Sequence, residues 1–367
     1  MRRVVLLGAG HAQLSVLEAL AKLRLPGAEV LLVSAGERLI YSGMVPGIVA
    51  GRYAIDDCTI ALAPLAAAAS VQLLLGRAVA LDAAAQVVTL ADGQRIEYDV
   101  LSLNTGPVQD RDRIPGARDN ALFVRPIEAF VQLWSRTRAL AADSALDVVV
   151  VGNGAAGVEI ALAVQSAIGE HCTLTLVADG PVLPNYSLAV RQRALAALER
   201  RGVQVLPGRC TAVEPEHVLV GTMRVACDVP IMATGGDPPA WLTGSGLVLD
   251  HAGFVRVGAT LQSASHANVF AAGDLIVRDD APHPRSGVYA VRAGPVLAEN
   301  LRRFAGGGML TAYKPQRRSL NLLALGDGRA IASWGPWSMQ GRTMGWWKDH
   351  IDRGFVARWR KPGQPKK

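Results

Sequence analysis

Short glycine-rich loops are the parts of this sequence best suited to chemistry. Gly152, Gly154 and Gly157 follow the apolar stretch 147–151 and precede a helical pattern. In a dinucleotide-binding turn, the first glycine permits the tight turn, the second admits a pyrophosphate, and the third allows close helix packing. The N-terminus of the helix then directs its N–H groups at the phosphates. This spacing predicts a dinucleotide site.

A second loop of the same kind lies near the N-terminus. Gly8 and Gly10 come between the apolar stretch 3–8 and a helical pattern, but Gln13 occupies the position where a third small residue is usual. Taken alone, this loop is a weak fingerprint. Because the order strand, glycine loop, helix and strand occurs in both regions, the chain is predicted to have a duplicated nucleotide-binding plan.

A third feature is the apolar segment 268–274, which reads as a strand ending in Gly273 and Asp274. Thr260 stands at the start of its lead-in. A residue without a Cβ gives a ligand clearance, and a carboxylate accepts hydrogen bonds from sugar hydroxyls. The alternative, in which Asp274 only caps the next turn, explains one residue but not the whole segment.

Two further elements, 98–106 and 227–235, complete an ordered set of five that covers almost the whole chain. In this order the elements resemble the pyridine nucleotide-disulfide oxidoreductase superfamily. The resemblance implies FAD at the N-terminal loop, with Asp274 on a ribityl hydroxyl, and NADH or NADPH at the second loop. Electrons would then pass from the nicotinamide through the flavin to a small-molecule acceptor.

The resemblance also implies the individual cofactor contacts. Those expected for FAD are Gly8, Gly10, His11, Ala12, Ser34, Met44, Pro46, Val79, Thr105, Gly106, Gly273, Asp274, Gly287 and Val288. Those expected for the nicotinamide cofactor are Gly152, Gly154, Gly157, Asp179 and Gly235. For His11, the alternative is a helix-start histidine satisfied by the backbone. The helix that opens near Gly287 is expected to point its positive end at the flavin pyrimidine.

Three acidic or substituted positions bear on specificity and catalysis. Ser34 replaces the carboxylate that would bind the adenosine ribose of FAD, and Glu37 is a substitute from the loop. Asp179 favours a free ribose hydroxyl, and therefore NADH over NADPH. Glu159 is the candidate catalytic residue, since the resemblance implies a position near the nicotinamide carboxamide and the flavin edge. An equal alternative is a first-turn glutamate stabilised by the helix dipole.

Three stretches give a narrower resemblance to type II NADH dehydrogenase-like proteins, particularly to the oxidoreductase module fused ahead of selenophosphate synthase. They are residues 41–47, 286–292 and 346–353. We expect no fusion partner, because the chain ends at Lys367. The glutamine-rich quinone motif of true type II dehydrogenases is missing at 287–292. A quinone acceptor, a selenium or sulfur acceptor, and a non-catalytic flavin sensor therefore all remain open.

Thiol chemistry is not expected. Disulfide reductases of this superfamily carry one or two cysteines just after the second strand of the FAD unit, where this chain has Ser42, Gly43 and Met44. The cysteines lie far apart and lack metal-ligand spacing, so neither a zinc site nor a disulfide framework is indicated. We expect them to be buried small hydrophobic residues: Cys58, Cys172, Cys210 and Cys227.

The predicted fold class is α/β, with two Rossmann-like dinucleotide-binding domains and a small α+β C-terminal module. The FAD domain is predicted to be discontinuous, 1–120 and 237–305, with the NAD(P) domain at 121–236 between the two parts. The C-terminal module covers 306–367. Alternating patterns predict strands at 78–82, 86–90 and 218–225, and a hairpin of 319–325 with 329–334.

The C-terminal end is basic and amphipathic. The segment from Arg342 onward contains eight Lys or Arg and two Asp, and the chain as a whole has a net charge of +7. A helix over about 345–360 would have one apolar side formed by Met344, Trp347, Ile351, Phe355 and Trp359. Such a helix suits an anionic membrane surface, whereas the alternative is docking on the chain itself or on a second subunit in a homodimer.

Composition also limits the compartment and the partners. We find no cleavable signal peptide and no apolar stretch long enough to span a bilayer. A localised basic end does not suit a nucleic-acid groove, which needs basic residues spread over a folded face. We therefore expect a cytoplasmic protein that binds peripherally at the inner face of the membrane and binds no nucleic acid.

Overall fold

The computed structural model describes residues 2–25, 27–141 and 145–360 of the 367-residue chain. Lys361, Lys366 and Lys367 of the predicted basic tail lie outside the described residues, as do the predicted domain ends at residues 1 and 367.

The described residues form strands alternating with helices. The strands are β1 Arg2–Leu7, β2 Ala28–Ser34, β3 Arg38–Ile40, β4 Thr59–Ala61, β5 Gln72–Leu75, β6 Ala78–Asp82, β7 Val87–Leu90, β8 Arg95–Glu97, β9 Val100–Leu103, β10 Leu122–Phe123, β11 Leu146–Val151, β12 Cys172–Ala178, β13 Gln204–Pro207, β14 Cys210–Glu214, β15 His217–Val220, β16 Met223–Ala226, β17 Val229–Met232, β18 Val255–Arg256, β19 Val269–Ala271, β20 Ile276–Val277, β21 Leu320–Ala324, β22 Ala330–Trp334 and β23 Trp337–Gly341. The α-helices are α1 His11–Lys22, α2 Val45–Val49, α3 Leu62–Ala68, α4 Ala117–Asn120, α5 Ile127–Leu140, α6 Ala155–Ile168, α7 Leu188–Arg200, α8 Gly287–Ala305 and α9 Arg342–Arg360. Short 3-10 turns occupy Ser42–Met44, Asp56–Cys58, Gly169–His171, Ala240–Leu242 and Gly273–Leu275.

Two parallel five-stranded sheets organise the chain, which confirms the predicted α/β fold class. The first has the order β19-β9-β1-β2-β5 and the second the order β10-β17-β11-β12-β13. In each sheet the glycine loop follows the central strand, β1 or β11, and leads into a helix, α1 or α6. Strand β19 joins the first sheet from far along the chain, as a discontinuous domain requires. The exact domain bounds stay predictions.

Antiparallel strands are attached to each Rossmann unit. β6-β7-β8 and β14-β15-β16 form three-stranded sheets. The prediction of one strand over 218–225 is wrong, because Gly221 has φ +61° and turns the chain between β15 and β16. The predicted C-terminal hairpin appears as β21 and β22, and the following segment adds β23 as a third strand that the sequence pattern did not indicate.

Helix α9 docks on the chain itself, with a different face from the predicted one. It begins at Arg342, and its buried residues are Asp352, Val356 and Trp359, whereas Trp347 and Ile351 stay exposed. Asp352 is tolerated inside because Lys348 Nζ donates to its Oδ2 at 2.8 Å. The apolar stripe predicted for this helix is therefore divided between the protein interior and the surface.

Helix α9 packs on the β21-β22-β23 sheet of its own module and also contacts the N-terminal domain. The ring of Phe355 stacks on Tyr41 with centroids 4.4 Å apart, and Arg358 pairs with Glu18 of α1. Lys348 Nζ also donates to Gly43 O at 2.8 Å. Within the described residues, none of the helices combines the length and the apolar character that a bilayer span requires.

Candidate functional site

The N-terminal glycine loop packs against the end of strand β9. A side chain at Gly8 would overlap the backbone of Thr105, and one at Gly10 would overlap Asn104. The backbones of the two loops approach each other this closely only because both positions are glycine. Thr105 and Gly106, predicted to contact FAD, therefore lie beside the loop that is predicted to hold its pyrophosphate.

Asn104 is a residue of this site that the sequence analysis missed. Its Oδ1 accepts from the backbone N–H of Ala12 at 3.0 Å and of Gln13 at 3.2 Å, and its Nδ2 donates to Ala272 O at 2.7 Å. One side chain thus joins α1, β9 and the end of β19. The N–H of Gly10 also donates to Asn104 O at 3.0 Å, so His11 is the residue at this helix start whose N–H finds no acceptor among the described residues.

Gln13 has a structural role that explains its place in the fingerprint. Its side chain is fully buried, Nε2 donates to Ser102 O at 2.9 Å, and Oε1 accepts from Ser102 Oγ at 3.3 Å. A buried amide is tolerated where its donors and acceptors are satisfied. The loop that looked weak by sequence is therefore a complete turn with a polar pair in place of the third small residue.

Asp274 is half-buried just after β19, and its buried Oδ1 has no hydrogen-bond partner among the residues that the structure describes. Burial raises the pKa of this carboxyl, while the nearby guanidinium groups of Arg125 and Arg285 oppose the rise. A buried acceptor without a donor is costly unless a ligand supplies one. A sugar hydroxyl is such a donor, so the site fits the ribityl chain of FAD. The sequence analysis missed Arg125 and Arg285.

His11 packs between aromatic rings beside the N-terminal loop. The rings of Tyr41 and Phe355 each stand edge-on to it at 5.5 Å. Burial, with a smaller contribution from Arg125, lowers the pKa of His11 to about 4. The imidazole is therefore neutral at physiological pH, and His11 does not supply a charge to a pyrophosphate.

Helix α8 starts with an N-terminus that no side chain of the described residues caps. Gly287 and Val288 are its first residues, and Ser286 before them makes no side-chain capping bond. Ser286 and Tyr289 line the large cleft between the two Rossmann units. The positive end of the helix dipole is consequently open toward the cleft, where it favours negative charge.

The second glycine loop has the geometry of an open dinucleotide site. A side chain at Gly157 would overlap the carbonyl of Gly152, so the third glycine is required for helix packing. At Gly154, in contrast, a Cβ would meet nothing within 4 Å, and no side chain caps α6 there. The space in front of this helix N-terminus is free for a pyrophosphate.

The loop opens into a cleft of about 1390 Å³ that also contains Asp179, Gly235 and Asp274. Arginines predominate among its charged lining residues: Arg113, Arg125, Arg209, Arg278, Arg285, Arg317 and Arg318. A concave surface with this excess of positive charge attracts diphosphates, and each dinucleotide carries one. The size and charge of the cleft fit the predicted cofactors.

Glu159 lies on α6 beyond its first turn. Its Oε1 accepts from the N–H of Ala324, on β21 of the C-terminal module, at 2.7 Å. Burial raises the pKa of Glu159 to about 7, although the Lys348 ammonium lowers it. These contacts count against the alternative of a helix-dipole glutamate, since the carboxylate bonds to another part of the chain.

Four further predicted FAD contacts belong to the N-terminal domain. Met44 is 0% exposed in the Ser42–Met44 turn and Pro46 is buried in α2, and their contacts with FAD stay predictions. Ser34 bonds to Gly36 O at 2.8 Å through Oγ, and Val79 is exposed on β6. Both stay predictions.

All four cysteines lie within the described residues, and each is a buried free thiol. Burial raises the pKa of Cys58 and Cys227 to about 12 and that of Cys172 and Cys210 to about 11. Protonated, inaccessible thiols are poor nucleophiles. Cys210 lines the cleft beside Arg209, but its buried, protonated thiol is not suited to nucleophilic chemistry.

The fold and the two glycine loops define an oxidoreductase that binds two dinucleotides. The model of the pyridine nucleotide-disulphide oxidoreductase family matches residues 2–294, and the chain belongs to this family. It is an FAD-dependent NAD(P)H oxidoreductase, as the sequence predicted, and its four cysteines are free thiols.

Known relatives are similar over most of the chain. Ferroptosis suppressor protein 1 of Xenopus tropicalis is 27% identical over 268 residues, which cover 68% of each protein. The demethylphylloquinone reductase NdbB of Synechocystis is 24% identical over 295 residues, 74% of this chain and 71% of that protein. The structure of NDH2 from Plasmodium falciparum with NADH superposes with a TM-score of 0.80 at 12% identity, covering 99% of both chains.

Proposed function

We propose that this enzyme passes electrons from NADH to a quinone. The observation that carries the proposal is that the loop just after the second strand of the FAD unit, Ser42 to Met44, holds no thiol, so electrons leave the flavin for the acceptor directly. The relative NdbB is a demethylphylloquinone reductase by name, which supports a quinone. Asp179 in the cleft supports NADH, because a carboxylate there repels a 2′-phosphate.

The protein positions the cofactors and tunes the charge around them. When bound, the nicotinamide and the flavin supply the hydride transfer itself. Asp274 would accept a ribityl hydroxyl, Arg125 would face the negative charge of the diphosphate, and the open start of α8 at Gly287 would stabilise negative charge at the flavin pyrimidine. Gly154 would leave room for the pyrophosphate of NADH.

Glu159 would hold the proton that accompanies the electrons to the acceptor. Its carboxyl is fixed by the N–H of Ala324, and the ionisable groups around it are Lys348, Asp352 and Tyr186. A carboxyl with a pKa of about 7 exchanges protons readily near neutral pH. The role predicted for Glu159 from sequence is thereby narrowed to a proton donor.

Glu159→Gln is expected to slow acceptor reduction by about a hundredfold, which is typical for loss of a general acid. In the native enzyme the acid form prevails below the pKa, so the rate should fall as pH rises through about 7. The amide oxygen of glutamine still accepts from Ala324 but does not titrate. Stopped-flow reoxidation from pH 5.5 to 8.5 measures the profile, which should be flat for the variant.

Flavin content and the rate of reduction by NADH are the controls for this variant, and both should match the native enzyme. A descending limb near pH 7 that persists in Glu159→Gln would assign the ionisation to another group and remove Glu159 from catalysis.

Anaerobic reduction tests the function as a whole. NADH should bleach the purified yellow enzyme, and a short-chain quinone should restore its colour. Faster recovery with a selenium or sulfur compound would favour the alternative function, reduction of a selenium or sulfur acceptor. That alternative rests on the resemblance of 41–47, 286–292 and 346–353 to the module fused to selenophosphate synthase. A flavin that stays oxidised with NADH and NADPH would indicate a sensor.

A quinone dissolves in the bilayer, so the proposal also concerns location. We infer a cytoplasmic enzyme at the inner face of the membrane, held peripherally by an anionic lipid surface. The homodimer suggested by the exposed apolar residues of the C-terminal end is the competing explanation for them.

A further inference from the structure

Asn153, the middle residue of the second glycine loop, is bonded to the segment that follows strand β12. Its Nδ2 donates to Asp179 O at 2.8 Å and to Pro181 O at 3.1 Å. Its backbone carbonyl accepts from the N–H of Leu183 at 2.7 Å. We call residues 179–187, which connect β12 to α7 along the cleft, the β12–α7 loop. One residue therefore joins the glycine turn to the loop that begins with Asp179.

The β12–α7 loop contains no helix or strand that would fix its shape. Leu183 has φ +54°, a conformation that costs a non-glycine residue free energy. It keeps this conformation because its side chain is 0% exposed and its N–H is bonded to Asn153 O. From the other side, Arg191 Nε of α7 donates to Val182 O at 3.2 Å. The loop is therefore held between the glycine turn and α7, and Asn153 supplies the contacts at the end where Asp179 lies.

Two side chains of opposite charge stand at the ends of neighbouring strands here. Asp179 follows β12, and Arg209 comes just after β13, whose last residue Pro207 pairs with Ala178. Both charged residues are exposed and line the cleft. In a dinucleotide unit this edge of the sheet meets the adenosine ribose, where a carboxylate selects a free 2′-hydroxyl and an arginine accommodates a 2′-phosphate. The choice of nucleotide therefore depends on which of the two side chains reaches the ribose.

The donors of the Asn153 amide are fully used by the loop. An amide group has two N–H donors, and here they are directed at the carbonyls of Asp179 and Pro181. Asn153 therefore has no amide N–H left for a phosphate, although it lies in the glycine loop. Its effect on a bound nucleotide passes through the loop that it holds, and a side chain that cannot donate would release that loop.

We propose that Asn153 is a positioning residue for nucleotide selection, which holds Asp179 against the adenosine ribose and thereby gives NADH its advantage over NADPH. The inference rests on the proposed function, which takes NADH as the electron donor, and it adds the residue that makes Asp179 effective. The two bonded carbonyls lie on either side of Gly180 and restrict where the start of the loop lies. Without these bonds the loop start would move away from the ribose, and the influence of Arg209 would increase.

Calorimetric titration of the FAD-loaded enzyme with NAD⁺ and NADP⁺ tests the proposal without turnover. The native enzyme should bind NAD⁺ more tightly than NADP⁺. Asn153→Ala should reduce this ratio of affinities by about tenfold, because two hydrogen bonds that fix Asp179 are lost. Arg209→Ala should raise the ratio by weakening the binding of NADP⁺. At saturating NADH, the limiting rate of flavin reduction should stay native in Asn153→Ala, since the adenosine end of the cofactor, and not the nicotinamide, meets the loop start.

A double-mutant cycle separates a positioning role from a direct one. Asp179→Ala alone should lower the ratio of affinities, and adding Asn153→Ala should change it little further, because the second substitution acts only through Asp179. Asn268→Ala is the matched control: Asn268 Nδ2 also donates to a backbone carbonyl, that of Asp99 at 3.1 Å, but beside the first sheet. This variant should bind both nucleotides as the native enzyme does. Flavin content of each variant verifies folding.

Equal weakening of NAD⁺ and NADP⁺ binding in Asn153→Ala would overturn the proposal, as would an unchanged ratio or full additivity with Asp179→Ala. A native enzyme that binds the two nucleotides equally would overturn it too. The function is decided separately, by whether NADH bleaches the flavin and a quinone restores its colour. Failure of either step refutes the quinone reductase function and leaves the binding ratios to decide the role of Asn153.

Discussion

Purified Asp274→Ala enzyme is expected to be nearly colourless, with most of its FAD lost. Within residues 2–25, 27–141 and 145–360, the buried Oδ1 of Asp274 has no hydrogen-bond partner, so a ribityl hydroxyl would be the donor that it lacks. Loss of a hydrogen bond to a charged group costs about 1.5–3 kcal/mol, which weakens FAD binding roughly ten- to hundredfold. The ratio of flavin to protein absorbance after gel filtration, and titration of the apoprotein with FAD, measure the effect.

The stability of the apoprotein separates this explanation from misfolding. Burial raises the pKa of Asp274, so the charged form destabilises the folded apoprotein as pH rises through that raised value. Removing the carboxyl should therefore leave the unfolding midpoint at pH 7 unchanged or higher. Asp179→Ala, in the other dinucleotide unit, is the control and should keep its FAD. Full flavin occupancy of Asp274→Ala would refute the ribityl contact.

The sequence could predict those parts of the site that a short stretch of chain forms by itself. The two glycine loops, with the strand before and the helix after each, have local signals in residue type and spacing. The same holds for the strand that ends at Gly273 and Asp274. Their arrangement in two parallel sheets follows from the repeated order of elements, because parallel strands need a crossover helix.

Hydrogen bonds between residues distant in the chain could not be predicted from the sequence. Gln13 looked like a defect of the fingerprint until Ser102, 89 residues away, appeared as its partner. Asn104 is an ordinary polar residue in the sequence, and only the close approach of α1 and β19 gives it three hydrogen bonds. A local sequence pattern does not indicate which strand end will face which helix N-terminus in the fold.

In helix α9, a buried charged residue explains why the pattern of apolar residues predicted the wrong buried face. Its period of apolar residues predicted that Trp347 and Ile351 lie on the same contact face as Phe355 and Trp359. In the fold, Asp352 turns inward, where Lys348 pairs with it. The helix is rotated accordingly, and the apolar residues of its first half face outward.

Gly154→Val is expected to separate the two cofactor sites. Gly154 has φ −81° and ψ −176°, which valine adopts without strain, and a Cβ there meets nothing within 4 Å. The variant should therefore fold and keep its FAD. Its methyl groups, however, would occupy the space through which a pyrophosphate reaches the start of α6. We expect reduction by NADH to slow by at least about a hundredfold, since contacts worth several hydrogen bonds are displaced.

A control must show that the slower reduction by NADH comes from the position of the substitution and not from introducing a valine. Gly354→Val provides the matched control, because a Cβ at Gly354 on the exposed side of α9 also meets nothing within 4 Å. That variant should be reduced by NADH at the native rate. Anaerobic stopped-flow reduction at increasing NADH concentration compares the two, and dithionite confirms that the flavin of each is reducible. If Gly154→Val loses its flavin while NADH still binds, the two loops exchange roles: the second would hold FAD and the first the nicotinamide cofactor, and the contact assigned to Asp274 would have to be made to a different dinucleotide.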